Sequence, residues 1–324
     1  MKRQAMLIAL YILAPLLSLF IGSWRIPPDK VLLSLICPGS SMIDFVIWKI
    51  RLPRIILAFV TGAILSVSGA SLQSLFRNPL VDSYILGISS GAAFGAAVAI
   101  LFIPGGFATV ALTAFIFSMV AFAFTYTMAS IRGEHDTLTL VLAGIIVSAI
   151  FSSLLSLLKF IAEPEKLAAI VYWLMGSFSG TRWSTLIAVP LAMASITLLW
   201  LMRWRINVLS LPEDEAKSLG VNVGLERTII LILIALGVSS VTAVTGIIGW
   251  VGLLTPHLIR MAFKTMDNMV VITHSIFLGG AYMVLVDDVA RALTSMELPL
   301  TMITTLMIAP FFLYLLKRGA YKWL

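Results

Sequence analysis

The stretch IILAFVTGAILSVSGASLQSL, residues 55–75, contains no charged side chain. A helix needs about 20 predominantly apolar residues to cross the hydrocarbon core of a bilayer. Ile55–Leu75 therefore predicts a membrane-spanning helix. Pro53 lies just before this stretch, and the fixed φ of proline favours the first turn of a helix.

The rest of the chain repeats this apolar pattern. Of its 324 residues, 60% are hydrophobic and 11% are charged, and the mean hydropathy is +1.06. Ordinary soluble domains have about 25% charged residues. This composition excludes a soluble globular enzyme, a disordered chain and a disulfide scaffold. The other predicted spans are Ala5–Gly22, Tyr84–Ile103, Phe107–Ile131, Leu138–Phe160, Ser184–Met202, Thr228–Val244, Ile247–Phe263, Val271–Ala292 and Leu298–Leu316.

We therefore predict an all-α membrane protein with about ten transmembrane helices in a single transmembrane domain, residues 1–324. Only Thr245 and Gly246 separate the seventh and eighth stretches, so one bent helix, and a total of nine spans, is the alternative. No small-residue cleavage site follows the first stretch, and we interpret it as a span rather than as a signal peptide.

The basic residues indicate how the spans are oriented. With the N-terminus in the cytoplasm, 13 of the 22 Lys and Arg residues fall in inner segments and 9 in outer segments. Cytoplasmic loops of membrane proteins carry such an excess. Both termini are then cytoplasmic, a polar segment at about 203–227 lies inside, and another at about 162–183 lies outside.

Ionisable residues near the predicted outer end of the ninth span are candidate functional residues, because charges at membrane depth are costly. Asp287, Asp288 and Arg291 share one helical face through their i, i+3 and i, i+4 spacing. The alternative is a self-neutralising group in which Arg291 extends toward water.

A basic cluster begins the second span. Lys49, Arg51 and Arg54 would form an exposed cluster of positive charge on the outer side of the membrane. Two interpretations remain open at this point: anchoring at the membrane surface, or docking of an acidic partner.

Two other motifs predict structure rather than catalysis. Gly87, Gly91 and Gly95 recur every fourth residue and predict a flat strip for close helix packing. The same segment matches the G-x-S-x-G pattern of serine hydrolases, but that motif requires a strand-to-helix turn. On the inner side, Ser210–Lys217 predicts a short capped helix, which is either a plain surface segment or a handle for a partner.

Several signatures are absent from the sequence. It has no G-x-x-x-x-G-K-[ST] loop for ATP, no metal-ligand motif and a single cysteine, Cys37. No basic run interleaved with aromatic residues indicates nucleic-acid binding. No acidic residue lies near the middle of a predicted span, which disfavours an ion-coupled carrier. We expect no cofactor, no resident metal and no catalytic residues.

Motifs that occur in order along nearly the whole chain are Arg51–Arg54 (RLPR), Gly69–Gln73 (GASLQ), Arg77–Asp82 (RNPLVD), Leu86–Ala92 (LGISSGA), Trp173–Ser177 (WLMGS), Ser218–Val221 (SLGV), Gly249–Arg260 (GWVGLLTPHLIR), Glu297–Pro299 (ELP) and Ala309–Phe312 (APFF). Together they resemble the motifs of the FecCD-type permeases. These are the membrane subunits of ABC importers for iron–siderophores, haem, vitamin B12 and, in some members, molybdate.

The resemblance implies a vitamin B12 permease-like type II ABC importer fold and a homodimer. Two cytoplasmic ATP-binding subunits and an external substrate-binding protein complete such an importer, so ATP hydrolysis belongs to a partner and the chain itself is not an enzyme. The fifth and tenth helices would line the path.

The resemblance also implies site residues. Arginines that pair with glutamates of the binding protein match Arg51, Arg54 and Arg291. A cytoplasmic gate formed by a Thr-Ser pair matches Thr137 and Leu138, so leucine replaces the serine. The positions that couple to the ATPase match Leu211, Pro212, Glu215, Ala216, Ser218, Leu219, Gly220 and Val221.

We therefore expect a permease subunit in the inner membrane of a prokaryote, surrounded by lipid, that moves its cargo by alternating access. The cargo would be a metal chelate (iron–siderophore or haem), cobalamin or a molybdate-type oxyanion, and the sequence does not choose among them. The alternative function is a stand-alone ion-coupled secondary transporter.

Overall fold

The computed structural model describes residues 2–130, 137–293 and 297–317, and within these ranges all regular secondary structure is helical. The helices are α1 Lys2–Ser18, α2 Pro28–Ile36, α3 Met42–Phe45, α4 Leu52–Leu75, α5 Ile88–Phe102, α6 Phe107–Ser130, α7 Thr137–Ile161, α8 Pro164–Leu174, α9 Ala188–Leu201, α10 Arg203–Leu209, α11 Glu213–Ser218, α12 Val223–Thr245, α13 Val251–Phe263, α14 Asn268–Ala292 and α15 Leu300–Lys317. A π-helical turn, Val46–Arg51, joins α3 to α4.

The described residues form six helical segments that are long and apolar enough to cross a membrane. They are Met42–Leu75, Phe107–Ser130, Thr137–Ile161, Trp183–Leu201, Val223–Thr245 and Asn268–Ala292. Four shorter apolar helices accompany them: Leu7–Ser18, Ile88–Phe102, Val251–Phe263 and Leu300–Leu313. The prediction of an all-α membrane protein is confirmed.

The seventh and eighth apolar stretches are two helices, so the alternative of one bent helix is wrong. Gly246 ends α12 with φ +72, and Trp250 has φ +74 just before α13 begins. Positive φ values are incompatible with a continuous right-handed helix. Inside α13, Pro256 has no N–H to offer the carbonyl oxygen of Gly252, and Gln73 Nε2 of α4 donates to that oxygen at 3.1 Å.

Local turn chemistry shifts two other predicted boundaries. The predicted span Tyr84–Ile103 begins as a helix only at Ile88. Before it, the Asp82 side chain accepts a hydrogen bond from the Tyr84 N–H at 3.0 Å, and a short 3-10 turn ends at Gly87 with φ +76. The segment at about 162–183 contains the unpredicted helix α8, which begins at Pro164.

Helix α4 lies at the centre of the protein. It packs against α14, α13, α9 and α12, and nearly all of its side chains are buried. A helix that is apolar on all faces is expected to be enclosed by other helices. Because α4 has 24 residues and rises about 1.5 Å per residue, it connects two distant ends of the molecule.

Each end of α4 meets a different set of polar groups. We call the first the arginine end, where the start of α4 meets the ends of α1 and α14 and the segment before α15. We call the second the short-helix end, where Arg77, just after α4, contacts the segment that contains α10 and α11.

Candidate functional site

Arg54 is the centre of the arginine end. Its guanidinium donates three hydrogen bonds to Asp287 of α14, at 2.7, 2.9 and 3.1 Å, and two to Glu297, at 2.7 and 3.0 Å. Arg54 is 6% exposed and Asp287 is 1% exposed, whereas the Glu297 side chain is 31% exposed. A buried charge persists when it is both paired and hydrogen-bonded, and two carboxylates provide this for Arg54.

Two more arginines tie the start of α4 and the end of α14 to the end of α1. Arg51 donates to two backbone carbonyl oxygens that follow α1, at 2.5 and 2.6 Å. Arg291 pairs with Asp288 and donates to Ser18 Oγ at 2.5 Å, while Ser18 Oγ donates to Asp288 at 2.7 Å. These contacts join three helices through charged and polar groups.

The structure thus brings Arg51, Arg54 and Arg291 together, but it buries all three. Of the basic cluster predicted to face outward, Lys49 is exposed but Arg51 and Arg54 are not, and Arg291 does not extend to water. The reason is that acceptors surround the three arginines. Arg54 and Arg291 pair with Asp287, Asp288 and Glu297, whereas Arg51 donates to backbone carbonyl oxygens. Sequence reasoning missed the main pair, because Arg54 and Asp287 are 233 residues apart.

A cavity of about 620 Å³ opens beside Arg54 and Glu297. Two exposed basic residues, Lys49 and Arg182, line it together with aromatic side chains that include Phe178. Arg182 was not among the predicted site residues, since nothing in the sequence places the segment before α9 beside the start of α4. Lys49 and Arg182 therefore give this cavity exposed positive charge, whereas Arg51, Arg54 and Arg291 are buried.

At the short-helix end, Arg77 donates to the backbone carbonyl oxygen of Leu211, which lies between α10 and α11. Within α11, Lys217 donates to Glu213 at 2.8 Å, an i, i+4 pair. The Lys217 ammonium holds the pKa of the Glu213 carboxyl below its usual value of 4.5. The predicted short helix exists, but it begins at Glu213 after Pro212 rather than near Ser210.

The residues predicted to couple to an ATPase divide into two groups by burial. Two side chains, Ala216 and Val221, are buried and anchor the segment. Gly220 ends it with φ +78. The exposed members, Leu211, Pro212, Glu215, Ser218 and Leu219, form an unburied face. This arrangement is that of a short helical segment that packs against the protein on one side and is exposed on the other.

A chain of hydrogen bonds links the last turn of α4 to α10. Ser74 Oγ donates to Asn268 Oδ1 at 2.8 Å, and the Asn268 N–H donates to Asn207 Oδ1 of α10 at 2.7 Å. Arg260 of α13 donates to Gln73 at 2.5 Å. Together with the Arg77 contact, these bonds connect the central helix to the short helices.

The predicted gate residues begin α7. Thr137 is half-buried and Leu138 is 64% exposed. The preceding residues 131–136 lie outside the described part of the chain. Further along α7, a groove of about 450 Å³ between α5 and α7 is lined by apolar side chains, among them Ile145 and Leu155, and by the hydroxyl-bearing residues Tyr84, Ser89, Ser90, Ser148 and Ser152.

The three glycines of the predicted strip, Gly87, Gly91 and Gly95, have two different structural roles. Gly91 and Gly95 face α6, where an added Cβ would come 2.5 Å from the carbonyl oxygens of Phe117 and Thr113. Gly87 lies before the helix, in the turn that starts α5.

As for metal ligands, the described ranges 2–130, 137–293 and 297–317 hold no group of three or more His, Cys, Asp or Glu residues suited to a metal ion.

Comparison with known proteins decides the family. The model of the FecCD transport family matches residues 10–318. The chain belongs to the FecCD transport family. It is 42% identical over 283 residues to the molybdate import system permease protein MolB of Haemophilus influenzae, covering 85% of this chain and 82% of that protein. It is 40% identical over 280 residues to the "Probable iron chelatin transport system permease protein" of Helicobacter pylori, covering 86% and 84%.

A solved structure matches the fold. It is described as a metal-chelate type ABC transporter in an inward-facing conformation, with a TM-score of 0.85, 36% identity, and coverage of 96% of this chain and 97% of that chain. The resemblance noted in the sequence is confirmed. This FecCD family member is a permease subunit of an ABC importer.

Proposed function

We propose that this permease crosses the membrane ten times, forms a homodimer and imports its cargo by alternating access. Two cytoplasmic ATP-binding subunits would drive it, and an external substrate-binding protein would deliver the cargo. The six long and four shorter apolar helices support ten spans. With the N-terminus in the cytoplasm, the arginine end faces outward and the short-helix end faces the ATPases.

The observation that carries this proposal is the position of α4. One buried helix bears Arg54 at its outer end and leads directly into Arg77 at its inner end. Both partner faces are therefore attached to the same rigid element. Bundles of packed helices switch between discrete arrangements rather than deforming continuously, so a force applied at α10 and α11 would reach the outer face through α4.

The path itself would run along α7 and α15, with Thr137 and Leu138 at its cytoplasmic gate. The outward-facing apolar surface of α7, including the exposed Leu138, Leu142 and Ile146, supports contact with a second copy. The groove beside α7 is lined by apolar and hydroxyl-bearing residues without a charged side chain among those described, which suits a path that does not bind its cargo tightly. Relatives named for molybdate and for iron chelatin leave a metal chelate, cobalamin and an oxyanion as candidate cargoes.

Reconstitution tests the proposal against a stand-alone ion-coupled carrier. The permease and the ATPase encoded beside it are placed in proteoliposomes, and uptake of an iron–siderophore, haem, cobalamin and molybdate is measured with the binding protein present. We expect uptake of one of these cargoes only with ATP and the ATPase. Uphill uptake by the permease alone, driven by an ion gradient, would contradict the proposal.

Docking of the binding protein at the arginine end has its own test. Charge reversal of Arg54 would break a buried ion pair, and charge reversal of Arg51 would remove its buried hydrogen bonds to backbone carbonyl oxygens, so the exposed cations are the better probes. Lys49→Glu combined with Arg182→Glu should weaken docking about tenfold and reduce its salt sensitivity, because exposed charges steer association. Each single change is compared with Lys30→Glu, which reverses one charge at an exposed residue of α2 outside the cavity. An effect of Lys30→Glu as large as that of either single change would refute the assignment.

A further inference from the structure

Arg54 is shared between two carboxylates whose surroundings differ. Asp287 makes three of the five hydrogen bonds, and it is 1% exposed on the long helix α14. Glu297 makes the other two, its side chain is 31% exposed, and it lies in the short segment that leads into α15. Asp287 is therefore a fixed partner, whereas Glu297 is in contact with water and can leave.

The surroundings of Glu297 favour a replacement of like charge. Glu297 is the single carboxylate among the described residues that line the cavity of about 620 Å³, and three basic side chains line it as well: Lys49, Arg54 and Arg182. If Glu297 leaves, the cavity wall carries positive charge alone. The buried group of three arginines then faces only two carboxylates, Asp287 and Asp288, which leaves one positive charge uncompensated.

We propose that Glu297 pairs with Arg54 before docking, that a carboxylate of the binding protein pairs with Arg54 after docking, and that docking exchanges one carboxylate for the other. This inference rests on the proposed function, because it takes the binding protein as the source of the incoming carboxylate. The exchange keeps the number of charge-assisted bonds on Arg54 constant. Asp287 holds the guanidinium in position while the exchange takes place.

The exchange gives docking a direct effect on α15. Glu297 lies three residues before the start of that helix. Backbone groups also hold this segment: the Leu298 N–H donates to the Ala290 carbonyl at 3.1 Å and the Leu300 N–H to the Gly176 carbonyl at 3.1 Å. Thr301 donates through its N–H to the Met175 carbonyl at 3.3 Å and through its Oγ1 to the Ile247 carbonyl at 2.7 Å. Release of Glu297 removes the charged tether of this segment, so docking loosens a helix that we propose lines the path.

Neutralising Glu297, which competes with the binding protein's carboxylate for Arg54, tests the exchange. Glu297→Gln is introduced into the complete permease–ATPase complex in nanodiscs, and the dissociation constant of the binding protein is measured. We expect docking to strengthen about threefold to tenfold, somewhat more than the contribution of an exposed ion pair. Glu165→Gln removes the same charge from an exposed residue of α8 and should change docking less than about twofold.

A second measurement does not depend on that variant folding. A spin label is attached at Met302→Cys, an exposed position in the first turn of α15, after Cys37→Ser removes the native thiol. Docking of the binding protein should increase the mobility of the label. In the Glu297→Gln protein the label should be mobile before docking.

The outcomes separate this inference from the proposed function. If the wild-type complex docks no binding protein, the proposed function fails. If docking occurs but Glu297→Gln leaves it unchanged or weaker, and the label at position 302 does not respond, the exchange is refuted while the importer remains. If Glu165→Gln strengthens docking as much as Glu297→Gln does, the effect is one of overall charge, and the exchange is likewise refuted.

Discussion

Gly62 of α4 and Gly279 of α14 lie so close that a Cβ on Gly62 would overlap the Gly279 carbonyl oxygen and come 2.5 Å from Met283 Cβ. Both residues are inside helices, so the space between the two backbones excludes any side chain. Small residues allow such close approach of membrane helices. The contact fixes α14, which carries Asp287, against α4, which carries Arg54, and so aligns the ion pair at the arginine end.

Gly62→Ala should therefore destabilise the permease by about 1–3 kcal/mol, the usual cost of overpacking. The measurement is the midpoint of thermal unfolding in detergent. Gly106→Ala is the matched control, since an added Cβ there meets no atom within 4 Å. If both variants unfold at the wild-type temperature, the close contact between α4 and α14 does not stabilise the protein.

The Arg54–Asp287 pair should show strong coupling in a double-mutant cycle. Arg54→Met removes three hydrogen bonds from the buried Asp287, which keeps the 3.7 Å contact with Arg291, and should cost about 3–5 kcal/mol. Adding Asp287→Leu removes the buried carboxylate and should recover part of that loss. Lys217→Met, which breaks an exposed pair with Glu213, should cost less than about 1 kcal/mol. Additive effects at Arg54 and Asp287 would mean that their charges do not interact.

Arg77 should transmit motion between the short helices and α4. Arg77→Met removes the hydrogen bond to the Leu211 carbonyl but leaves the exposed face of α11 intact. We expect the ATPase subunits to bind normally, while stimulation of ATP hydrolysis by the binding protein falls about twofold or more, because a charged hydrogen bond is lost. Lys264→Met, at an exposed basic residue before α14, should not change the stimulation.

Acidification should weaken α11. Because Lys217 lowers the pKa of Glu213 below its value of 4.5, the ionised pair stabilises the native helix above that pH. This contribution is lost as the pH falls through the native pKa. Lys217→Met should raise the Glu213 pKa toward 4.5, as followed by the carbon-13 chemical shift of the labelled carboxyl group. An unchanged pKa would show that Lys217 does not stabilise the carboxylate.

Local features of the sequence predicted much of the fold. Runs of apolar residues located the spans, and Gly246 correctly marked a possible break because glycine tolerates positive φ. The start of α5 was misplaced, since the Tyr84 N–H donates to the Asp82 side chain and stabilises a 3-10 turn before the helix. The helix α8 was missed because its 11 residues are too few to indicate a membrane span.

Composition alone places this chain in a membrane as a set of helices, because the cost of placing each segment in lipid depends on its own residues. The order of residues also puts the charged side chains at the ends of those helices. Which of these charges meet depends on how the helices pack. Arg54 reaches Asp287 and Glu297 across more than 230 residues of chain, because the packing of α4 against α14 brings them together, and this pairing turns apparently exposed arginines into buried ones.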